Sequence, residues 1–155
     1  MIIIDTNSLL ILVIGLIDPK QISKNKRTSI YDERDYELLC SVISNKELVV
    51  LPNIWTEVDN LLNKYFKGDY KESYIFIIVN LIKTSTEKYF ESKIIENDYL
   101  FYVLGLTDTL ILKCAKDCEL LITSDSELAY YALSLGIKVL DLKAIKNEQF
   151  RGNQY

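Results

Sequence analysis

The chain has 155 residues, 49% of them hydrophobic, and a formal net charge of −4 from 18 basic and 22 acidic side chains. This length accommodates one domain with a sizeable core, and the hydrophobic content excludes a disordered chain. Histidine is absent, which excludes Ser-His-Asp and Cys-His catalysis and most zinc sites, and the mild acidity supplies no global field that would steer a polyanion.

Met1 to Ile4 is an apolar run of the kind that forms a buried parallel strand. Asp5-Thr6-Asn7-Ser8 offers several N-cap residues for a helix from Leu9 to Ile17. This apolar start lacks a basic leading segment and a small-residue cleavage site, and it is too short to span a bilayer, so it reads as strand and helix. Asp18 to Thr28 is polar, contains Pro19, and reads as a loop. It carries the only dense basic cluster, Lys20, Lys24, Lys26 and Arg27. Tyr31 to Ser44 is amphipathic, with Tyr36, Leu39, Val42 and Ile43 on one helical face.

Glu47 to Leu51 reads as the second strand, and Pro52 suits the first turn of a helix reaching about Phe66. Gly68-Asp69 breaks it before a helix from Lys71 to Lys83. Lys88 to Phe90 reads as a short strand and Lys93 to Leu104 as a helix ending at Gly105. A further helix starts at Gly105 or Thr107 and ends near Asp117. Glu119 to Thr123 is a strand of the fully buried kind. Ser126 to Leu135 is a helix stopped by Gly136, and Lys138 to Asp141 is the last strand. Strands alternating with helices predict a three-layer α/β/α sandwich with a central parallel sheet. Residues 1–145 form this domain, and the polar segment 146–155 is expected to fray.

Cys40, Cys114 and Cys118 are odd in number and show no framework spacing. Cys114 and Cys118, four residues apart on a predicted helix, read as two small buried hydrophobes, and a reducing cytoplasm fits best. Among the tyrosines, Tyr74, Tyr102 and Tyr130 fall in predicted helices and read as half-buried packing residues rather than base-stacking platforms.

Four carboxylates stand out against this background. Asp5 and Asp125 close predicted strands; Glu57 and Asp108 lie in early turns of predicted helices. Strand ends and the helices that leave them share one edge of an open α/β sheet, where ligands bind. Each acid has a plainer role available. Asp5 can cap a helix, although Thr6, Asn7 and Ser8 could do so in its place. Glu57 can favour a helix dipole, and Asp108 can cap. Ser124 to Glu127 matches a capping box, which, with Ser124 as the cap, leaves Asp125 free. Together, convergent carboxylates repel unless a cation lies between them, and oxygen-only donors suit Mg²⁺ or Mn²⁺.

Four stretches in order carry a resemblance: apolar-Asp5-Thr6-Asn7 at the N-terminus, an apolar strand followed by Pro52-x-x-x-x-Glu57, Leu106-Thr107-Asp108-x-x-Ile111-Leu112, and Leu121-Ile122-Thr123-Ser124-Asp125-x-Glu127-Leu128-Ala129. From Met1 to about Leu142 this order resembles the PIN domain, a family that includes toxin ribonucleases of toxin–antitoxin pairs and RNA-processing nucleases. The resemblance implies Mg²⁺- or Mn²⁺-dependent endonucleolytic cleavage of RNA, with Asp5, Glu57, Asp108 and Asp125 as the acidic residues. Asn7 resembles the polar residue two places after the first aspartate, and Thr123 or Ser124 the hydroxyl before the last. A homodimer and a small antitoxin protein are implied partners.

The chemistry is consistent without histidine, since one or two divalent ions can activate water, neutralise the phosphate and assist the leaving oxygen. Asp5 and Asp125 are expected to anchor the main metal. Glu57 and Asp108 would bind it through water or hold a second ion, and Thr6 and Asn7 would orient a ligand or the phosphate. The basic cluster 20–27 is either an ordinary solvated loop or a phosphate contact. A phosphatase with an aspartyl nucleophile would need a second aspartate where Asn7 stands. A phosphoacceptor receiver would need an early acidic pair, and the isolated glycines form no phosphate loop. The remaining competitor is an inactive module of the same fold that binds a protein partner.

Overall fold

A computed structural model describes residues 1–153. Its centre is a five-stranded, all-parallel sheet in the order β3-β2-β1-β4-β5. The strands are β1 (Ile2–Ile4), β2 (Leu48–Val50), β3 (Thr86–Glu87), β4 (Leu120–Thr123) and β5 (Val139–Asp141). β1 is central because its three residues are isoleucines buried on both faces, as a parallel strand covered by helices on both sides requires. Its register sets Ile3 beside Val49 on one side and Leu121 on the other.

From β1 the chain steps outward through β2 to β3, then returns to the far side of β1 and steps outward again through β4 to β5. The direction reverses between β1 and β4. Right-handed crossovers then set α1 (Thr6–Ile17), α2 (Glu33–Ile43), α3 (Pro52–Leu62) and α4 (Gly68–Thr84) on one face. They set α5 (Tyr99–Leu104), α6 (Leu106–Ala115) and α7 (Ser126–Ser134) on the other. This is the expected three-layer α/β/α sandwich. The crevice at such a reversal, outside the carboxyl ends of the strands, is the customary ligand position.

α1 is buried from Ser8 to Gly15 and touches α2, α3 and α4, as a helix apolar on all sides must be. Gly15 leaves room for a ring of α2: a Cβ there would lie 2.2 Å from Cδ2 of Tyr36. Among the described residues no helix is long and apolar enough to cross a membrane.

Several boundaries differ from the sequence expectation. The Asp18–Thr28 loop contains a 3₁₀ helix, Pro19–Lys24, because the Asp18 carboxylate accepts from the Lys20 N–H and Pro19 presets the first turn. The third strand is Thr86–Glu87 rather than Lys88–Phe90. Thr86 pairs with Val49 directly after α4 ends, so the chain has entered the sheet two residues earlier. The expected helix Lys93–Leu104 is split into a 3₁₀ turn, Ser92–Ile95, and α5. Asp98 divides them by accepting from the Leu100 N–H, a local bond that competes with a continuous helix. Gly105, at φ +82°, ends α5 and starts α6, a backbone turn that suits glycine.

The largest correction concerns the C-terminus. The segment expected to fray from residue 146 belongs to an eighth helix, α8 (Leu142–Gly152), and the domain extends through it. Lys146 is buried, and its ammonium lies 2.8 Å from Asp35 Oδ2 and 3.1 Å from Asp32 Oδ2 at the start of α2. A charged side chain placed among polar neighbours in the sequence is thereby an anchor. Residues 154 and 155 of that expected tail lie outside the described residues.

Candidate functional site

The Asp5 N–H donates to the Ile122 carbonyl at 3.0 Å, extending the β1–β4 ladder by one residue. Asp5 therefore stands where the topology reverses, and its side chain ties both strands together. Oδ1 accepts from the Ser8 N–H at 2.7 Å and caps α1. Oδ2 accepts from the Thr123 hydroxyl and from the Ser124 N–H. The neighbours Thr6, Asn7 and Ser8 leave the capping to Asp5, contrary to the expectation that it could be spared. Burial pushes the Asp5 carboxyl above the ordinary range, and the bonds from Thr123, Ser8 and Ser124 offset part of that rise.

Asp125 also caps. Its Oδ1 accepts from Glu127 N–H at 2.8 Å and Leu128 N–H at 3.1 Å at the start of α7. The expected capping box on Ser124 is thus corrected: Asp125 is the N-cap, and Ser124 is a buried residue whose N–H serves Asp5. Only one carboxylate oxygen is committed to the cap, and Asp125 still lines the cleft with the other three acids.

Glu57 lies in the second turn of α3, held from two sides. The Thr6 hydroxyl donates to Oε2 at 2.5 Å, and the Thr107 hydroxyl donates to Oε1 at 2.6 Å. The first turns of α1 and α6 thereby fix one carboxylate between them. Asp108 follows Thr107 in the first turn of α6 and does not cap it, since Gly105 occupies the cap position. Burial raises the Asp108 carboxyl to about 7, reinforced by the charges of Asp5, Asp125, Glu57 and Glu127.

These side chains line a cleft of about 340 Å³. Asp5, Thr6, Asn7, Glu57, Asp108 and Asp125 all border it, and so does Arg27, the only cationic side chain there among the described residues. Thr123 and Ser124 lie behind Asp5, as the hydroxyl and N–H that hold it. The basic cluster divides: Arg27 reaches the cleft, Lys20 borders a separate depression beside Asp32 and Arg34, and Lys24 and Lys26 are exposed.

Three bordering or supporting residues were absent from the sequence expectation. Asn60 and Leu61 are one turn beyond Glu57 on α3, a spacing that helical periodicity alone could have flagged. Thr107 was considered only as a helix start; a hydroxyl adjoining a candidate acid was the available signal.

The donors fit a hard divalent cation. The cleft presents carboxylate, hydroxyl and amide oxygens, with no cysteine, and the acids repel one another in the absence of positive charge. Among the described residues no three acidic or cysteine side chains stand close enough together to hold a metal ion between them. Asp5, Glu57 and Asp125 each accept hydrogen bonds from hydroxyl or N–H donors. Mg²⁺ commonly keeps several waters and takes one or two carboxylates directly, a demand this open arrangement suits. No family model, curated protein or solved structure matches the chain.

Proposed function

We propose that the chain is a divalent-metal-dependent endoribonuclease of PIN-like type that hydrolyses RNA phosphodiesters. The observation that carries this reading is the gathering of Asp5, Glu57, Asp108 and Asp125, distant in sequence, on one cleft at the β1–β4 reversal. Asp5 and Asp125 would hold the main Mg²⁺ or Mn²⁺, with Asp108 and Glu57 binding through water or holding a second ion. When bound, such ions supply water activation, charge neutralisation on the phosphate and support for the leaving oxygen.

The protein's own groups have separable tasks. The hydroxyl and N–H behind Asp5 fix its Oδ2, and the helix cap fixes its Oδ1. Thr6 and Thr107 hold Glu57 so that it cannot swing away from the cleft. Arg27, which lines the cleft, would bind a phosphate oxygen by a charge-assisted hydrogen bond, and Asn7 would orient it. Lys20, Lys24 and Lys26 would extend the backbone contact along the same loop. By the same resemblance, the setting would be the cytoplasm, as one half of a toxin–antitoxin pair with an antitoxin protein as partner.

One observation favours an inactive, protein-binding module: hydroxyls already occupy both Glu57 oxygens. The two readings separate on a mixed RNA pool incubated with Mn²⁺, with EDTA, and with Asp5→Asn. The nuclease reading requires cleavage by the wild type in Mn²⁺ and its loss in both controls. Absence of cleavage, with Mn²⁺ also failing to raise Tm, would favour the module.

A further inference from the structure

A group of exposed tyrosines stands on the α5–α7 side of the carboxylate cleft. Tyr102 is 91% exposed, Tyr99 70% and Tyr130 67%, and Tyr131 is half-buried. Tyr99 and Tyr102 are three residues apart on α5 and share one side of it. Tyr130 meets Tyr131 edge to face, with ring centroids 5.3 Å apart, a contact that occupies a face of one ring only. Burial raises the Tyr131 phenol, and the Tyr99 phenol beside it adds to the rise. The α5 and α7 pairs thus form one patch.

The patch joins the cleft along both helices. Glu127, whose N–H donates to Asp125 Oδ1, stands one turn before Tyr130 and Tyr131, and its charge also acts on Asp108. From the Asp125 cap to Tyr131 is about 9 Å along α7, at about 1.5 Å per residue. On α5, Tyr102 lies one turn before Gly105, where the chain turns into α6 and Asp108. Successive nucleotides of a stacked strand advance about 3.4 Å, so a strand held at the cleft reaches the patch within about three nucleotides. Lys93 and Lys113, in the depression beside Tyr99, are already paired with Glu91 and Asp98. With Glu127 at its border, the patch repels a phosphate and suits a neutral ring. The occupant it fits is a base stacked on tyrosine with its phosphate turned outward. Bases inside a duplex are already stacked on their neighbours, so only unpaired ones can be splayed onto such rings.

We infer that Tyr99, Tyr102, Tyr130 and Tyr131 are a stacking platform for the unpaired bases of a strand held at the carboxylate cleft. The inference rests on the nuclease reading and adds to it the single-stranded character of the substrate.

Fluorescence anisotropy on the full chain tests it, in EDTA so that the strand stays whole, with circular dichroism as the folding control. The probes are a labelled oligoadenylate of about 12 nucleotides, within the usual site size of a single-strand binder, and the same backbone with abasic nucleotides throughout. The wild type should bind the oligoadenylate about tenfold or more tightly than the abasic strand. Tyr102→Ala and Tyr130→Ala should each weaken oligoadenylate binding about tenfold, the usual worth of one stacked base, and leave abasic binding unchanged. Tyr130→Phe keeps the ring and should keep the affinity. Phe76→Ala, at an exposed aromatic of α4 on the other face of the sheet, should change neither. Equal affinity for the two probes, or binding of neither, would overturn the inference and leave the rings to a protein partner. A base preference that survives the double variant Tyr102→Ala/Tyr130→Ala would overturn it too. The nuclease reading is scored separately, by cleavage of a mixed RNA pool in Mn²⁺. Cleavage without a base preference removes the platform alone; a tyrosine-dependent base preference without cleavage keeps the platform and removes the nuclease.

Discussion

Two places in this molecule hold acids out of water, and they resolve the problem in opposite ways. At the α2–α8 contact, Asp35 and Lys146 are both buried and meet at 2.8 Å, with Asp32 as a second acceptor. At the β1–β4 reversal, Asp5, Asp108, Asp125 and Glu57 share a cleft with hydroxyls, N–H groups and one exposed arginine. The first arrangement is closed: each charge has its counter-charge inside the protein. The second is open, and burial, with the neighbouring carboxylate charges adding to it, pushes Asp108 up to about 7. A fold tolerates such repulsion at a cost in stability, and sites of function are where that cost recurs.

The largest expected effect comes from opening the closed arrangement. Lys146→Met removes the ammonium and leaves Asp35 buried without a counter-charge, which should cost about 3–5 kcal/mol, read by urea denaturation. Replacing Asp35 by Asn in the same chain should recover much of the loss. Burial alone would lower the Lys146 pKa, but the bonds from Asp35 and Asp32 outweigh it and leave the pKa raised. The pair's contribution is therefore fully present below the ordinary lysine value and lost only as the pH rises through the raised one.

Closing the open arrangement is the converse experiment. If the four acids receive a cation, Mn²⁺ at about 100 times its Kd should stabilise the fold by about 2.7 kcal/mol. Asp5→Asn should abolish most of that gain, as read by Tm in a metal titration. A Tm that does not move with Mn²⁺ would remove the argument that the repulsion serves cation binding.

A smaller effect has the opposite sign from most substitutions. Asp108 ionises at 3.8 when unperturbed and at about 7 in the fold. Between these values the folded state holds more protons than the unfolded one, so stability falls as the pH rises through that window. The full cost applies above about 7. In EDTA at pH 8, Asp108→Asn should therefore raise stability by about 1–2 kcal/mol, after allowance for solvent screening and the lost helix-dipole contact. The advantage should vanish below the unperturbed value. Denaturation midpoints across pH 3–9 check both the sign and the window.

The sequence made the open arrangement more legible than the closed one. Asp5 and Asp125 follow short apolar runs that read as buried parallel strands, so the edge they share was legible in the sequence. The Asp35–Lys146 pair was not, because it joins residues on two helices whose docking depends on the finished sheet. Lys146 sits in a polar stretch that locally resembles any frayed tail. Caps behaved similarly. Asp125 and Ser124 both suit an N-cap position, and only the register of β4 against β1, which gives the Ser124 N–H to Asp5, decides between them. Tyr102 and Tyr130 were expected to pack, yet they are 91% and 67% exposed, because the face of a short helix follows from a neighbour that periodicity does not specify.

The finest distinction between the two arrangements lies in the threonines. Thr6 and Thr107 bring no charge to Glu57, only direction, so their removal should disturb the cleft more than the fold. Thr107→Val deletes one hydroxyl donor from Oε1 and should cost about 1 kcal/mol or less in stability, the usual worth of one such bond. On the nuclease reading, a misdirected carboxylate of this kind lowers kcat about tenfold, equivalent to about 1.4 kcal/mol of barrier, with KM little changed. Thr107→Ser keeps the donor and should restore the rate. Thr56 supplies the control: its hydroxyl donates to the Pro52 carbonyl on the exposed side of the same helix, and Thr56→Val should leave cleavage untouched. Equal losses in Thr107→Val and Thr56→Val would mean that α3 as a whole, rather than the direction of one carboxylate, governs the rate.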